Sequence, residues 1–366
     1  MHIIVIWLLL TFFWVLAIYS VSIYESFRLT VRLEDLEPSN YFYFFRHLQS
    51  IAIAFLVAFI IYKIPLRLIQ DYRNYIIIFA LIFQLMVFTP LWVELFGSKW
   101  WIYIQWLGTI QPAEIFKTAF VIFFAGWFVR KKKMLSSIPW FFGFLILTWI
   151  LSVVFLALPD LWTLMVLAPT ALIMYWYAWG KIKYVLTLLV VWLFLSYNIW
   201  MQFDYIRVRF EYFFNPEIDE TGRWIGWQTQ QALTSVGWWW ILWSWYGKWL
   251  QKFWYIPIAQ SDFVFAAFSE EIWLIGNSVL LTLYFLLAYF FIKWLRNVNN
   301  EYYRILWIWI LSLIMVQAFI NIWVNINILP LTGITLPFIS YWWTAIMMNF
   351  VQIVLLYKII TEWKKL

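Results

Sequence analysis

Ile256-Pro257-Ile258-Ala259-Gln260-Ser261-Asp262-Phe263-Val264-Phe265-Ala266-Ala267-Phe268-Ser269-Glu270-Glu271 closes the longest polar segment of the chain and runs directly into an apolar one. Asp262 stands at that change from water-compatible to lipid-compatible sequence. Glu270 and Glu271 follow roughly 12–14 Å further down a helix, at about 1.5 Å per residue. Carboxylates at membrane depth are costly, and by default they mark a functional site turned into the bundle. Ser261 and Asp262 also suit the plainer job of N-capping the helix that follows. From this stretch alone both readings stand.

Composition says what surrounds it. The 366 residues are 66% hydrophobic and only 12% charged, with a mean hydropathy of +0.82. Soluble domains carry about 25% charged residues, so the chain reads as an integral membrane protein. There is no cysteine, which excludes disulfides, thiol nucleophiles and thiolate metal sites. The only histidines are His2 and His47, too few for a Ser-His-Asp triad or a histidine-rich zinc site. Acid–base chemistry must therefore fall to carboxylates, Lys or Tyr. The net charge of +7 follows membrane topology and gives no sign of a nucleic-acid partner.

Apolar runs of about 20 residues span the roughly 30 Å of hydrocarbon. Ten are expected, at approximately 3–24, 41–62, 75–95, 112–129, 137–158, 161–179, 184–201, 263–292, 305–329 and 334–360. The expected fold is an all-α membrane protein, a bundle of ten transmembrane helices in a single domain over 1–366. A large extracytoplasmic loop, 203–262, falls between the seventh and eighth. The first run lacks a basic leader and a small-residue cleavage site and reads as a retained span. Lys63, Arg67, Arg73, Arg130 to Lys133, Lys181, Lys183, Lys293, Arg296, Arg304, Lys358, Lys364 and Lys365 fall in alternate connections and the C-terminal tail. The positive-inside rule then puts both termini in the cytoplasm and Asp262 on the outer face.

Other polar residues lie in or beside the spans. Arg46 is near the outer start of the second span. Glu114 and Lys117, three apart at the start of the fourth, share a helix face; they read first as an internal ion pair. Alternatively Arg46 and Lys117 form a cationic site for a phosphate. Asp160, after Pro159, suits a turn, with cation binding as the other option. Asn321, Asn325 and Asn327 precede Leu329-Pro330-Leu331-Thr332-Gly333 and Leu336-Pro337-Phe338. These read as interhelical hydrogen-bonding groups and a tight, partly buried re-entrant connection.

Together these stretches resemble the SEDS family (shape, elongation, division and sporulation) of RodA, FtsW and SpoVE. The resemblance rests on Phe45-Arg46; Ile110 through Lys117; Pro159-Asp160-Leu161; Arg207 through Phe213-Phe214-Asn215-Pro216; Trp227-Gln228; Tyr255-Ile256-Pro257; Ser261 through Ala266 with Glu270-Glu271; and Leu329 through Ile334 with Leu336 through Tyr341. It implies a peptidoglycan glycosyltransferase of the bacterial cytoplasmic membrane. Such an enzyme joins lipid II into glycan strands at the outer face and releases undecaprenyl diphosphate, in elongation or division. It also implies Asp262 as the catalytic group, and Arg46 and Lys117 as cavity residues. Glu114, Asp160, Glu270 and Glu271 are expected to help hold the substrate. A class B penicillin-binding protein, a transpeptidase, is the expected partner. The short N-terminal lead and the end at Leu366 lean towards the RodA side. The residues agree with that chemistry: transfer from a diphosphate donor needs a base for the acceptor hydroxyl. It also needs positive charge on the departing diphosphate, from Arg46, Lys117 or a divalent cation such as Mg²⁺ or Mn²⁺. The rival functions are a lipid II flippase and a non-catalytic scaffold for cell-wall proteins.

One departure from the family is systematic. The chain holds 31 Trp and 11 Gly, where a chain of this length averages roughly 26 Gly. Tryptophan stands at family glycine positions: Trp106, Trp162, Trp239, Trp243, Trp245, Trp249, Trp273, Trp323, Trp342 and Trp343. An interfacial aromatic belt would follow depth in the bilayer and not those positions. The pattern is expected if the gene reads UGA as glycine. Trp101 and Trp227 sit at family aromatic positions.

Overall fold

A computed structural model describes residues 2–32, 37–95, 98–105, 108–132, 137–158, 160–178, 181–215, 225–237 and 261–362. The elements run α1 (His2–Val21), α2 (Ile23–Arg32), α3 (Phe42–Lys63), α4 (Leu66–Asp71) and α5 (Arg73–Leu85), then β1 (Trp92–Leu95), β2 (Ser98–Ile104) and β3 (Gly108–Ile110). There follow α6 (Pro112–Lys131), α7 (Ile138–Ala157), α8 (Leu161–Tyr177), α9 (Ile182–Trp200), α10 (Asp204–Phe214), α11 (Ile225–Gly237), α12 (Val264–Leu295), α13 (Glu301–Asn325) and α14 (Trp343–Glu362). The protein is helical and multi-pass, but the expectation of ten spanning helices is corrected. Among the described residues seven are long and apolar enough: Ile3–Val21, Phe42–Lys63, Pro112–Lys131, Ile138–Ala157, Ile275–Leu295, Glu301–Asn325 and Trp343–Glu362.

Part of the shortfall has local causes. The run expected over 75–95 stops early, because Pro90 removes a backbone donor. The Thr89 hydroxyl then closes a turn, donating to the Met86 carbonyl at 2.6 Å and accepting from the Leu91 N–H at 3.4 Å. The chain continues as a small antiparallel sheet in the order β1-β2-β3, with Trp92 opposite Ile102 and Ile102 opposite Ile110. The run over 161–179 yields the 17-residue α8, a little short of a full span; that over 184–201 yields the 19-residue α9, several of whose side chains lie outside the described residues. The last run, expected from 334, becomes helical only at Trp343.

The chain divides into two compact units. Unit one comprises Met1–Ile53, Asn198–Phe291 and Gln317–Ile346. Val21, Ala232, Phe263, Ala266 and Ala267 form a buried cluster there, bringing α1, α11 and the start of α12 together. The Ser26 hydroxyl of α2 accepts the Tyr43 N–H at 3.1 Å, satisfying one of the donors that the first turn of α3 leaves open.

Unit two comprises Ala54–Tyr197, Ile292–Val316 and Met347–Leu366. Its α6 carries Phe116, Phe120, Phe124 and Phe128, all fully buried, at the four-residue spacing that stacks side chains on one helix face. Phe124 and Phe128 pack on Phe144 of α7 at 5.6 and 5.4 Å between ring centroids. Trp309 of α13 meets Phe128 edge-on at 5.0 Å. Such pairs add to the area they bury. The sheet covers a second cluster of Val87, Ile102 and Leu158.

Of the loop expected over 203–262, α10 and α11 are described, while 216–224 and 238–260 lie outside the described residues. Pro159, Lys133, Lys364, Lys365, Trp106, Trp239, Trp243, Trp245 and Trp249 also lie outside them, as do the side chains of Glu271 and Trp273.

Candidate functional site

Asp262 lies in unit one, in the turn 261–263 that enters α12. Its backbone is held from other elements. Asn321 and Asn325, one turn apart on α13, each donate a side-chain N–H to the Asp262 carbonyl at 3.0 Å. The neighbouring Ser261 carbonyl accepts from the Ser340 hydroxyl at 2.7 Å. Asn325 does a second job: its Oδ1 accepts the Ala266 N–H at 3.0 Å. That N–H is one of the donors at the start of α12 that an N-cap serves. The capping job open to Ser261 or Asp262 is thus performed at this N–H by a residue of another helix. Asp262 itself is half-buried. Its carboxylate Oδ1 is buried and accepts no hydrogen bond from the described residues.

The connection between α13 and α14 passes beside that carboxylate. Asn327, with φ +53°, ends α13 in a Schellman motif: Ile328 N–H bonds Trp323 O at 2.7 Å and Asn327 N–H bonds Val324 O at 3.0 Å. Beyond it, side chains meet the backbone carbonyls in turn. Arg209 Nη1 donates to Leu331 O at 2.9 Å, Asn321 Nδ2 to Ile334 O at 2.7 Å and Gln317 Nε2 to Thr335 O at 3.1 Å. The Tyr284 hydroxyl donates to Pro337 O, and the Leu336 N–H bonds Ser340 Oγ at 2.8 Å. Non-helical backbone at membrane depth persists only when it is satisfied inside the protein. Gly333, at φ +74°, would bring a Cβ to 3.5 Å from Asp262 Oδ2. Phe338 is held at φ +66° although buried, a strained backbone of the kind found at functional sites.

Burial is the main influence on the Asp262 carboxyl and raises its pKa above the ordinary carboxylate range. The Trp342 side chain, the charge of Arg209 and the Ser261 hydroxyl each pull it back down. Arg209 and Trp342 were not expected as site residues. Arg209 lies within the motif that begins at Arg207, but its spacing did not distinguish it from Arg207. The structure does: Arg207 is exposed and pairs with Asp204 of its own helix at 2.7 Å.

Arg46, also in unit one, is exposed, and its guanidinium lies 5.3 Å from the centre of the Phe42 ring. It lines a cavity of about 290 Å³ with Gln49, Thr30, Ser39 and Glu37. His47 beside it is buried against Trp14, with ring centroids 4.0 Å apart. Glu270 is half-buried on α12 in the same unit.

Glu114, Lys117 and Asp160 gather in unit two. Lys117 Nζ and Glu114 Oε1 are 2.8 Å apart, with 5% and 9% of their side chains exposed. This is the internal ion pair that the spacing allowed. Asp160 N-caps α8, accepting Thr163 N–H at 3.2 Å and the Thr163 hydroxyl at 2.8 Å. Burial pushes its carboxyl up to about 6, against the two Thr163 hydrogen bonds and Lys117. Among the described residues no three His, Asp or Glu side chains converge to hold a metal. A divalent cation at Asp262 would need phosphate oxygens to fill its shell, a common arrangement for Mg²⁺.

A family model described as cell cycle protein, covering FtsW, RodA and SpoVE, matches residues 1–365. A protein of Alcanivorax borkumensis named "Probable peptidoglycan glycosyltransferase FtsW" is 32% identical over 330 residues, 87% of this chain and 83% of that one. In solved structures, a chain of a peptidoglycan synthase complex that coordinates polymerization and crosslinking superposes with a TM-score of 0.73 at 19% identity, covering 95% of this chain and 97% of that one. RodA of Thermus thermophilus gives 0.67 at 16% identity, covering 98% and 96%. At those identities the structural likeness speaks for the fold.

Proposed function

The chain belongs to the FtsW, RodA and SpoVE family of cell cycle proteins, and on that footing we propose that it polymerises lipid II with Asp262 as the general base. It is a peptidoglycan glycosyltransferase of cell-wall synthesis. In the proposed reaction Asp262 takes the proton of an acceptor sugar hydroxyl while that oxygen attacks the donor's anomeric carbon. The bond from that carbon to the diphosphate breaks, and its electron pair leaves with undecaprenyl diphosphate. A base must meet the hydroxyl with a free lone pair and a suitably raised pKa. The observation that carries the reading is the Asp262 carboxylate, with an oxygen that accepts no hydrogen bond from the described residues, on a backbone held at the Ser261 and Asp262 carbonyls.

Arg46 is the proposed cation for the departing diphosphate. It is exposed and lines a cavity, and a guanidinium binds phosphate through paired donors. Lys117 already spends its charge on Glu114, which supports a structural role for that pair and for the capping carboxylate of Asp160.

The finer placement, a bacterial cytoplasmic membrane with both termini inside, belongs to the same proposal. Its support is the basic clustering at Lys63 and Arg67, at Arg130 to Lys132, and at Lys293 and Arg296. Seven spans alone would put the ends on opposite sides. Same-side ends with these clusters inside require one further crossing between Lys63 and Arg130, where α5 lies. A crosslinking transpeptidase of the class B penicillin-binding type is the proposed partner, supported by the synthase-complex chain of the same fold.

Purified protein in liposomes, given labelled lipid II, tests the reading: glycan strands are expected. Lipid passing between leaflets without strands would instead identify a flippase.

A further inference from the structure

Arg209 meets the Asp262 site through one short stretch of backbone. It holds Leu331 O at 2.9 Å, and two residues on, Gly333 lies against Asp262 Oδ2, close enough for an added Cβ to make contact at 3.5 Å. Leu331 also packs on the cluster containing Phe263, the residue that follows Asp262. The position of this stretch therefore depends on a guanidinium supplied by α10, a helix of the loop. We propose that Arg209 is a positioning residue for the reaction, seating the 331–333 backbone against Asp262 and presenting a positive charge to its carboxylate.

The surroundings single out this residue. Among the described residues the other groups acting on the Asp262 carboxylate are neutral: the Trp342 side chain and the Ser261 hydroxyl. Asn321 and Asn325 reach only its backbone carbonyl. Gln317 and Tyr284 hold backbone further along the same connection. Arg209 is thus the charged neighbour, and it opposes the burial that raises the acid's pKa. A half-buried cation keeps a carboxylate ionised more effectively than one in bulk water, because screening is weaker there. Its placement on α10 also makes the readiness of the base depend on the docking of that loop helix.

The inference rests on Asp262 being the base, so the experiment examines the two separately. Lipid II polymerisation by the full chain in proteoliposomes is followed from pH 5 to 9 for wild type, Arg209→Gln, Arg209→Lys and Asp262→Asn. Arg209→Gln removes the charge and leaves an amide donor on a shorter side chain. Its activity is expected to fall about tenfold at neutral pH, with the acid limb moving up by about half to one pH unit. Arg209→Lys is expected to return the limb towards its wild-type position. An unmoved limb in Arg209→Gln, with Asp262→Asn inactive, overturns the role of Arg209 and leaves the base intact. Asp262→Asn retaining activity overturns both. If Arg209→Gln does not fold, the Lys variant carries the test: a limb displaced from the wild-type one by a unit or more counts against the proposal.

Discussion

Gly333 lies against Asp262: a Cβ there would reach to 3.5 Å from Oδ2. That distance is an ordinary contact, so crowding is not the main cost of a substitution. The cost is the backbone at φ +74°, which disfavours any residue with a Cβ by roughly 1–2 kcal/mol. Gly333→Ala is expected to lower thermal stability in detergent by that amount and retain part of its activity. Gly333→Val, adding bulk beside the carboxylate, is expected to lose polymerisation almost completely.

Asn321 and Asn325 share one acceptor, the Asp262 carbonyl. Removing either leaves the other in place; removing both orphans that carbonyl, and Asn325→Ala also strips the cap from Ala266 N–H. A buried group left unsatisfied costs about 1–3 kcal/mol. The expected result is that the double alanine variant is destabilised by more than the sum of the two singles, a coupling that a double-mutant cycle measures.

Lys117 and Glu114 form a buried pair in unit two. Breaking such a pair from one side typically costs about 3–5 kcal/mol, because the remaining charge stays buried. Lys117→Met is expected to destabilise the protein on that scale, and Lys117→Met with Glu114→Gln to recover much of the loss. Were Lys117 mainly a substrate ligand, the single variant would keep its stability and lose lipid II affinity.

Asp160 makes a pH-dependent contribution. Burial raises its carboxyl to about 6, above the ordinary aspartate range near 3.8, so the fold favours the protonated form. The stabilisation is complete below about pH 4 and is lost as pH rises through about 6, on the order of 2–3 kcal/mol. Asp160→Asn keeps a good N-cap and cannot ionise. Thermal unfolding at pH 5 and pH 8 is expected to show the wild type losing stability between them and the variant losing less.

The sequence made the membrane class and the architectural character of the asparagines legible, because each follows from residue type and position. Asn321 and Asn325 recur on one helix face, so a shared target could be inferred; that the target is the Asp262 carbonyl could not. Glu114 and Lys117 were readable as a pair for the same reason. What failed was span counting. Hydropathy alone does not register that Pro90 and the Thr89 turn end α5, or that the apolar chain 92–110 pairs with itself as a sheet. Arg209 was hidden because its partner, Leu331 O, lies 122 residues away. The tryptophans at family glycine positions present a further question at Trp342, whose side chain bonds Asp262. Sequencing the codons decides it: UGA at Trp342 and Trp343 is expected, and UGG would end the recoding account.

The central claim is that one carboxylate at the mouth of α12 removes the acceptor proton. Strand synthesis from lipid II by the reconstituted chain carrying Asp262→Asn, compared with wild type at equal amounts of folded protein, addresses it most directly. A loss of a hundredfold or more, within the usual contribution of a general base, is predicted with binding of lipid II preserved. Strand synthesis at the wild-type rate would contradict the account.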